Sequence, residues 1–158
     1  MIPWFYNNKY YIIDCSYNKI TINNLLEEEC YANLSKKPEN VHPCGFLYKD
    51  NFLCVNDYKN KMIRVWDLIK KNIYKQIDYD ILFGYEIIFW NNNYSILGTY
   101  GCFIIFNIDE GKVVKKVLSD NTNNYLCGIK KIKLSNLGEC LICSDNSNSI
   151  KLYSLNSI

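Results

Sequence analysis

The sequence predicts an all-β protein in which a unit of two strands recurs four times. Of the 158 residues, 49% are hydrophobic and 15% aromatic, β-branched residues and Tyr are abundant, and Ala32 is the only alanine. This composition favours strands over helices and is too apolar for a disordered chain. One pattern, an apolar run, a small polar turn and an alternating strand, occupies residues 10–25, 52–68, 94–108 and 140–155. It predicts four β-hairpins.

The spacing of these hairpins is nearly constant. The first apolar residue of the second strand falls at Ile20, Ile63, Phe103 and Ile150, which gives intervals of 43, 40 and 47 residues. A four-stranded blade of a β-propeller has a period of about 40 to 45 residues. The repeat therefore predicts a propeller of about four antiparallel blades in one domain, residues 1–158, with blades at about 2–40, 41–80, 81–122 and 123–158.

The segments around the hairpins supply the other strands of each blade, in chain order. Residues 2–6 precede the first hairpin, and residues 45–48, 85–90 and 126–134 precede the other three. Outer strands are expected after the first three hairpins, at residues 28–34, 73–79 and 112–118. The resulting 15 strands make four blades of four strands, with one strand fewer in the fourth blade.

Residues 62–68 indicate that both faces of a blade are buried. Alternate side chains of a strand point to opposite faces. One face carries Ile63, Val65 and Asp67, and the other carries Arg64, Trp66 and Leu68. Apolar side chains on both faces are typical of a sheet packed between two others. We also expect Trp66, Phe106 and Tyr153, from three different repeats, to lie in the core between blades.

The segment Met62-Ile-Arg-Val-Trp-Asp-Leu68 resembles the end of a WD repeat of the WD40 β-propeller family. Residues 138–145 followed by 150–153 are similar to another, with Tyr in place of Trp. The sequence contains one Trp-Asp pair and no Gly-His dipeptide, and the other Trp positions hold Asn23, Phe106 and Tyr153. Without that His, the family's Asp-His-Ser/Thr-Trp hydrogen-bond network is lost, so blade shape is expected to depend on packing.

Four blades raise the question of what covers the outermost blade faces. A propeller hides its blade faces by closing into a ring, usually of about 4 to 8 blades, and an open set of blades leaves two apolar faces in water. Three arrangements would cover them. The chain is a fragment or half of a larger propeller, two chains or a partner's blade complete the ring, or Ile2 to Tyr6 closes a compact ring of four. We favour the first.

Charge and hydropathy limit the classes of partner and compartment. The formal net charge is +2. The chain therefore lacks the concentrated positive charge of proteins that bind nucleic acid or anionic membranes. Residues 1–11 lack the basic start and apolar run of a signal peptide, and no run of about 18 apolar residues predicts a membrane span. We expect a cytoplasmic protein, with the nucleus as the alternative, whose eight cysteines are mostly buried thiols.

The residues that most often carry chemistry form no catalytic or metal-binding pattern. Cys140 and Cys143 have the spacing of a redox or zinc pair, but residues i and i+3 of a strand point to opposite faces. His42, the only histidine, lies near Cys44 without an orienting group in the sequence. Residues 145–149 resemble a calcium loop and are better explained as the hairpin turn. The sequence therefore predicts no enzyme activity, no cofactor and no bound metal.

Clusters of lysine suggest an alternative function. They comprise Lys70 and Lys71, Lys115 and Lys116, and Lys130, Lys131 and Lys133, at strand ends or on outer strands. Lysine at such positions commonly protects sheet edges from pairing. The alternative is a module that binds an anionic ligand, a phosphoinositide or a nucleic acid, through these lysine-rich edges.

One repeated residue type indicates binding. Tyr17, Tyr58 and Tyr100 occupy the same place in three successive repeats, at the turn between the two hairpin strands. Tyr presents a large contact area at low entropic cost, together with a hydroxyl group. These residues are candidate contacts for a partner protein or peptide, unless each packs on its own hairpin. The principal prediction is a noncatalytic interaction scaffold or adaptor, a WD-repeat propeller or part of one acting within a larger assembly.

Overall fold

The structure is a computed structural model. It describes residues 1–16, 19–27, 29–34, 41–80, 84–91, 93–118, 126–147 and 149–154, with only the backbone described at 41–44, 84, 85 and 127. These residues form 15 strands in four antiparallel sheets. No helix in this part of the chain is long and apolar enough to cross a membrane. Contacts divide the chain into two compact units, unit 1 at Met1–Tyr79 and unit 2 at Asp80–Ile158.

Unit 1 contains two sheets of four strands, in which strands adjacent in sequence are hydrogen bonded. Sheet 1 consists of β1 (Ile2–Tyr6), β2 (Lys9–Ser16), β3 (Lys19–Asn24) and β4 (Cys30–Asn33). Sheet 2 consists of β5 (Val41–Tyr48), β6 (Phe52–Asp57), β7 (Met62–Asp67) and β8 (Asn72–Asp78). The β1–β2 turn has positive φ at Asn7 (48°) and Asn8 (59°). Two consecutive residues of this kind form a tight hairpin turn, and Asn tolerates the conformation well.

Unit 2 contains one sheet of four strands and one of three. Sheet 3 consists of β9 (Gly84–Asn91), β10 (Tyr94–Thr99), β11 (Cys102–Asn107) and β12 (Lys112–Leu118). Sheet 4 consists of β13 (Leu126–Leu134), β14 (Gly138–Asp145) and β15 (Ile150–Ser154). Its strands also follow one another in sequence order, and the described residues contain no fourth strand beside β15.

The predicted all-β architecture is confirmed, and each sheet falls within one predicted blade. The main difference is that β5 begins at Val41, four residues before its predicted start at Gly45. Residues 41–44 include Pro43, which lacks a backbone N–H donor for a sheet ladder. However, β5 is an edge strand whose register shifts between Val41 and Gly45. Proline is tolerated at such an edge or bulge.

Sheets 1 and 2 enclose the core of unit 1. Its buried side chains include Trp4, Ile13 and Ile22 from sheet 1 and Leu53, Val55 and Trp66 from sheet 2. Trp66 is 5% exposed, and its buried Nε1 atom has no hydrogen-bond partner among the described residues. Among the described residues, this indole is therefore held by packing. The predicted core position of Trp66 is confirmed.

Sheets 3 and 4 enclose a second core, in unit 2. It includes Ile96, Phe103, Ile105, Leu126, Leu141 and Cys143. Tyr153 is partly buried against this core, and its ring meets that of Phe103 edge to face, with centroids 5.0 Å apart. Phe106 is 1% exposed on the other face of β11. Both aromatic residues therefore contribute to packing, as predicted.

Gly98 of β10 allows a close approach between the two sheets of unit 2. A Cβ atom at this position would lie 2.3 Å from Cδ1 of Ile129 and 2.8 Å from the carbonyl oxygen of Leu126. The end of an isoleucine side chain can move aside, but a backbone oxygen held in a strand cannot do so without shifting the sheet. Glycine is therefore required for this spacing.

Sheets 1 and 4 are less covered than sheets 2 and 3. At least five consecutive residues are buried in each of β6, β7, β10 and β11, so both faces of these strands are covered. In β2, buried residues alternate with more exposed ones, and β15 contains no buried residue. Sheet 1 along β2 and sheet 4 along β15 therefore each expose one face.

The amino-terminal strand belongs to sheet 1. All five residues of β1, Ile2–Tyr6, pair with β2. In the described part of the chain, this strand adds nothing to sheet 4. Ile2 to Tyr6 therefore pair within the first blade, and not with the last blade as closure of a ring by this strand would require.

Candidate functional site

In each sheet the second strand ends in a short polar residue, and we call the connection from this residue to the third strand the central turn. The hydroxyl groups of Ser16 and Thr99 donate to the carbonyl oxygen three residues later, at 3.2 Å and 3.1 Å. In sheets 2 and 4 the corresponding residues are Asp57 and Asp145, and both carboxylates accept hydrogen bonds from the turn. Short polar side chains thus order the central turns of sheets 2 and 3, and in sheet 1 one joins the ends of β2 and β3.

The central turn of sheet 4 is the segment that resembled a calcium loop. Oδ1 of Asp145 accepts hydrogen bonds from the backbone N–H groups of Ser147 at 2.9 Å and Ser149 at 3.3 Å. It also accepts one from the Ser147 hydroxyl at 2.6 Å. The interpretation as a hairpin turn is confirmed. No cluster of three or more His, Cys, Asp or Glu residues is placed to hold a metal ion among the described side chains.

The central turn of sheet 2 contains a buried ion pair. Oδ2 of Asp57 lies 2.7 Å from Nη2 of Arg64, and the two side chains are 0% and 10% exposed. The same carboxylate accepts hydrogen bonds from the backbone N–H of Asn60 at 3.2 Å and from its side-chain amide at 2.8 Å. Asp57 therefore links β6, β7 and the turn, and the backbone at Tyr58 is held in place by these contacts.

Unit 1 also contains neutral polar groups whose pKa values are raised. The hydroxyl of Tyr79 donates to Oδ1 of Asn56 at 2.6 Å, and both side chains are buried. Burial, and then the negative charge of Asp57, raise the pKa of Tyr79, while the bond to Asn56 opposes the shift. Burial also raises the pKa of the Cys54 thiol. Both groups therefore stay protonated in the folded protein when they ionise in the unfolded chain.

The shifted thiol predicts a loss of stability at alkaline pH. The unfolded chain releases the Cys54 proton near pH 9, whereas the folded protein retains it. Above that pH the free energy of unfolding should fall by up to about 1.4 kcal/mol per pH unit from this group. Cys54→Ala should remove that part of the decline, as measured by urea unfolding at a series of pH values. Cys30→Ala, which removes an exposed thiol, is the control, and its free energy of unfolding should fall with pH as steeply as that of the parent. If the Cys54→Ala variant shows the same steep fall as Cys30→Ala, the buried Cys54 thiol is not the cause of the decline.

Two of the three predicted tyrosines lie at equivalent central turns. Tyr58 comes directly after β6, and Tyr100 directly after β10. Tyr58 is partly buried, and Tyr100 is 40% exposed. Tyr17 lies outside the described residues. The equivalence inferred from the repeat therefore holds for sheets 2 and 3, and the role of these tyrosines in binding stays a prediction.

The predicted separation of the paired cysteines agrees with their position in β14. Cys140 and Cys143 are 0% and 1% exposed, and Cys143 belongs to the core of unit 2. Three residues apart in one strand, their side chains point to opposite faces. The other described thiols are Cys15, Cys54 and Cys102, which are buried, and Cys30, which is exposed. The side chains of His42 and Cys44 lie outside the described residues.

Two of the lysine clusters contain a residue that joins neighbouring sheets. Nζ of Lys71 lies 3.9 Å from the ring centroid of Tyr31 and donates to its carbonyl oxygen at 3.3 Å. Nζ of Lys131 donates to the carbonyl oxygen of Trp90 and pairs with Glu139, both at 2.9 Å. Residues 115–116 lie on β12, the exposed outer strand of sheet 3. The edge position predicted for this last cluster is confirmed.

Sheet 1 carries an aromatic cluster that the sequence argument did not single out. The Trp4 ring stacks on Tyr6 with centroids 5.1 Å apart, and Tyr11 and Tyr31 lie 5.0 Å from each other. A cleft of about 240 Å³ beside them is lined by Asn7, Lys9, Tyr11, Asn24, Glu27, Glu29 and Tyr31. The sequence did contain a signal for this cluster, the adjacent aromatic residues of β1 and β2. Neighbouring residues of a strand point to opposite faces, so such runs place aromatic rings on both faces of the sheet.

On the polar side of this cleft, Lys9 and Glu27 form an ion pair. Nζ of Lys9 and Oε1 of Glu27 lie 2.5 Å apart, and this hydrogen bond raises the pKa of Lys9. The other carboxylate oxygen of Glu27 accepts a hydrogen bond from Nδ2 of Asn24 at 2.7 Å. Oδ1 of Asn24 in turn accepts the backbone N–H of Leu26 at 2.9 Å. These contacts order the turn between β3 and β4.

No protein-family model matches the sequence, and no curated protein is similar enough in sequence to match it. Solved structures match in fold. The chain superposes on the WD40 β-propeller domain of Doa1 with a TM-score of 0.70 at 13% identity, covering 94% of this chain and 47% of that one. It superposes on the hydrazine synthase of Kuenenia stuttgartiensis with a TM-score of 0.62 at 10% identity, covering 93% and 46%. The fold is that of a WD40-like β-propeller, and this chain spans about half the length of these two structures.

Proposed function

We propose that this protein is a noncatalytic interaction scaffold, a WD40-like propeller or part of one that binds other proteins within a larger assembly. The observation that carries the proposal is the likeness to a WD40 propeller domain over 94% of the chain. Binding residues are commonly found on loops that a rigid scaffold positions. The ordered central turns are such loops.

The central turns of sheets 2 and 3 are the proposed contact sites. In sheet 2, the buried ion pair of Asp57 fixes the turn that carries Tyr58. In sheet 3, the hydroxyl of Thr99 bonds within the turn, and the adjacent Tyr100 is 40% exposed. A tyrosine on an ordered backbone loses little conformational freedom when it binds, which favours affinity.

The test is a comparison of tyrosine variants against a partner captured from native extract at low salt and then purified. We expect the Tyr58→Ala/Tyr100→Ala double variant to weaken the partner's Kd at least about tenfold, the scale of an interface hot spot. Tyr74→Ala is the matched control, because Tyr74 is 57% exposed but lies on the outer strand β8. Its Kd should be unchanged.

Two results would contradict the proposal. Capture that returns no stable protein partner would remove the scaffold function, and an equal loss for Tyr74→Ala would remove the central turns as contact sites. A binding constant for an anionic ligand that falls steeply with salt would instead support the lysine-based alternative.

A further inference from the structure

Sheet 1 carries a row of exposed apolar side chains on the face that points away from the core of unit 1. Phe5 and Tyr10 are cross-strand partners whose ring centroids lie 4.8 Å apart, and they are 55% and 58% exposed. Leu25, directly after β3, donates its backbone N–H to the carbonyl oxygen of Tyr10 at 3.0 Å and is 54% exposed. Residues opposite one another in adjacent strands share a face. The three side chains therefore form a contiguous row, which we call the apolar row.

The exposure of this row is particular to sheet 1. The residue that follows the third strand is Leu25 in sheet 1, Leu68 in sheet 2 and Ile108 in sheet 3. In all three sheets its backbone N–H donates to a carbonyl oxygen at or just before the start of the second strand. Leu68 and Ile108 are 0% and 1% exposed. An apolar side chain that is buried at the equivalent positions, beside two exposed aromatic rings, marks an interaction surface.

The turn beside the apolar row is acidic. Glu27 and Glu29, between β3 and β4, are both exposed, and the ion pair of Glu27 with Lys9 leaves the charge of Glu29 in excess. Five residues after the end of the third strand, where sheet 1 has Glu29, sheets 2 and 3 have Asn72 and Lys112. The negative charge of this turn is therefore a feature of sheet 1 and not of the repeat.

The net charge of sheet 1 is opposite in sign to that of the whole chain. Residues 1–34 carry four acidic side chains and two lysines, whereas the chain has a formal net charge of +2. Lys71 of sheet 2 packs on the ring of Tyr31, and this part of unit 1 stays net negative when its charge is included. Complementarity of charge therefore favours a positively charged partner for this sheet.

The apolar row lies next to the cleft beside the aromatic cluster of sheet 1. Tyr10 stands between Lys9 and Tyr11 in β2, and both of these neighbours line the cleft, as does Glu29. The cleft volume of about 240 Å³ is below the range of roughly 300 to 1,000 Å³ that is typical of pockets for drug-sized ligands. It is therefore suited to a single side chain.

We propose that this end of sheet 1 binds a segment of a partner protein that contains both basic and apolar residues. The apolar side chains of the segment pack on the apolar row, and a basic side chain enters the cleft beside Glu29. The inference rests on the proposed function, because it states the chemistry of one partner segment. The contact region is separate from the central turns, since Tyr10 lies near the start of β2 and the central turn follows its last residue, Ser16.

The test uses a short fluorescent peptide of alternating lysine and leucine, whose Kd for the full chain is measured by fluorescence anisotropy. A peptide with glutamate in place of each lysine is the charge control, and it should bind at least about tenfold more weakly. Tyr10→Ser should weaken the Kd of the basic peptide at least about tenfold, the scale of an interface hot spot. Glu29→Gln should weaken it about two- to fivefold, the scale of a surface ion pair.

Tyr74→Ser and Glu110→Gln are the matched controls, because they change an exposed tyrosine and an exposed glutamate in other sheets. Both should keep the parent Kd, with circular dichroism showing every variant folded. No binding of the basic peptide, equal binding of the two peptides, an unchanged Kd for Tyr10→Ser or Glu29→Gln, or an equal loss in a control would overturn this docking site. Because the peptide is synthetic, those results leave the proposed function intact. That function fails instead when native extract yields no stable partner.

Discussion

Trp66→Ala is expected to lower the free energy of unfolding by about 3 to 5 kcal/mol, because it leaves a cavity that the strands around it cannot fill. The indole is 5% exposed and packs among side chains from both sheets of unit 1. Domains of this size have a total stability of roughly 5 to 15 kcal/mol. The variant should therefore show a much lower midpoint in urea, followed by circular dichroism.

Trp66→Phe separates packing from hydrogen bonding in this effect. Within the described part of the chain, the buried Nε1 atom has no hydrogen-bond partner, so its removal leaves no other group there unsatisfied. We expect a cost of roughly 1 to 2 kcal/mol, from the smaller volume alone. A loss as large as that of the alanine variant would show that the indole N–H contributes to stability, contrary to the structure.

Asp57→Ala is expected to cost about 3 to 5 kcal/mol, because it leaves the Arg64 guanidinium in a largely buried site without its carboxylate. The two groups lie 2.7 Å apart, and the aspartate side chain is 0% exposed. The variant also removes the acceptor for two hydrogen bonds from Asn60. Urea unfolding measures the loss.

The Asp57→Asn/Arg64→Met double variant is the control for this charge effect. The amide oxygen that Asp57→Asn introduces would still accept the turn hydrogen bond from Asn60, and the thioether side chain that Arg64→Met introduces would fill the space without a charge. We expect the double variant to be more stable than Asp57→Ala, because replacing both members of a buried pair is far less costly than removing one. A double-mutant cycle compares the loss of stability in the double variant with the losses in its two single variants. If the two single losses add up to the loss in the double variant, the two side chains are not coupled.

The strand order was predictable from sequence because its signals are local. Each hairpin places two alternating strands around a short polar turn, and β12 and β13 have the predicted bounds. The start of β5 was not predictable in this way. Whether a strand passes through Pro43 depends on its being an edge strand with a bulge, which only the assembled sheet determines.

The side-chain contacts of the candidate site were harder to predict from the sequence. The repeat correctly placed Tyr58 and Tyr100 at equivalent turns, because the period alone determines that equivalence. The ion pair of Asp57 with Arg64 depends on the pairing register, in which Arg64 lies opposite Val55. A shift of one residue would move the guanidinium to the other face of the sheet. The repeat period alone therefore cannot predict such an ion pair, and the three-dimensional structure is needed to identify it.

The sequence alone could not show which face of sheet 1 is exposed, because that depends on how the sheets pack. The sequence raised the question of what covers the outermost blade faces, but alternation alone does not tell which side of a strand is buried. The residues that decide it are Trp4 and Phe5, which are adjacent and both aromatic. One is 2% exposed and the other 55%. Only the position of the neighbouring sheet distinguishes them.

The meander order of every sheet also bears on how the chain acquires its structure during synthesis. In the four described sheets, all hydrogen-bonded ladders join strands that are consecutive in sequence, so none of these ladders waits for a distant segment to leave the ribosome. Pairing of consecutive strands closes only short loops, which carries a small entropic cost. Sheet 1 can thus complete its ladders while the residues of sheet 4 are still untranslated.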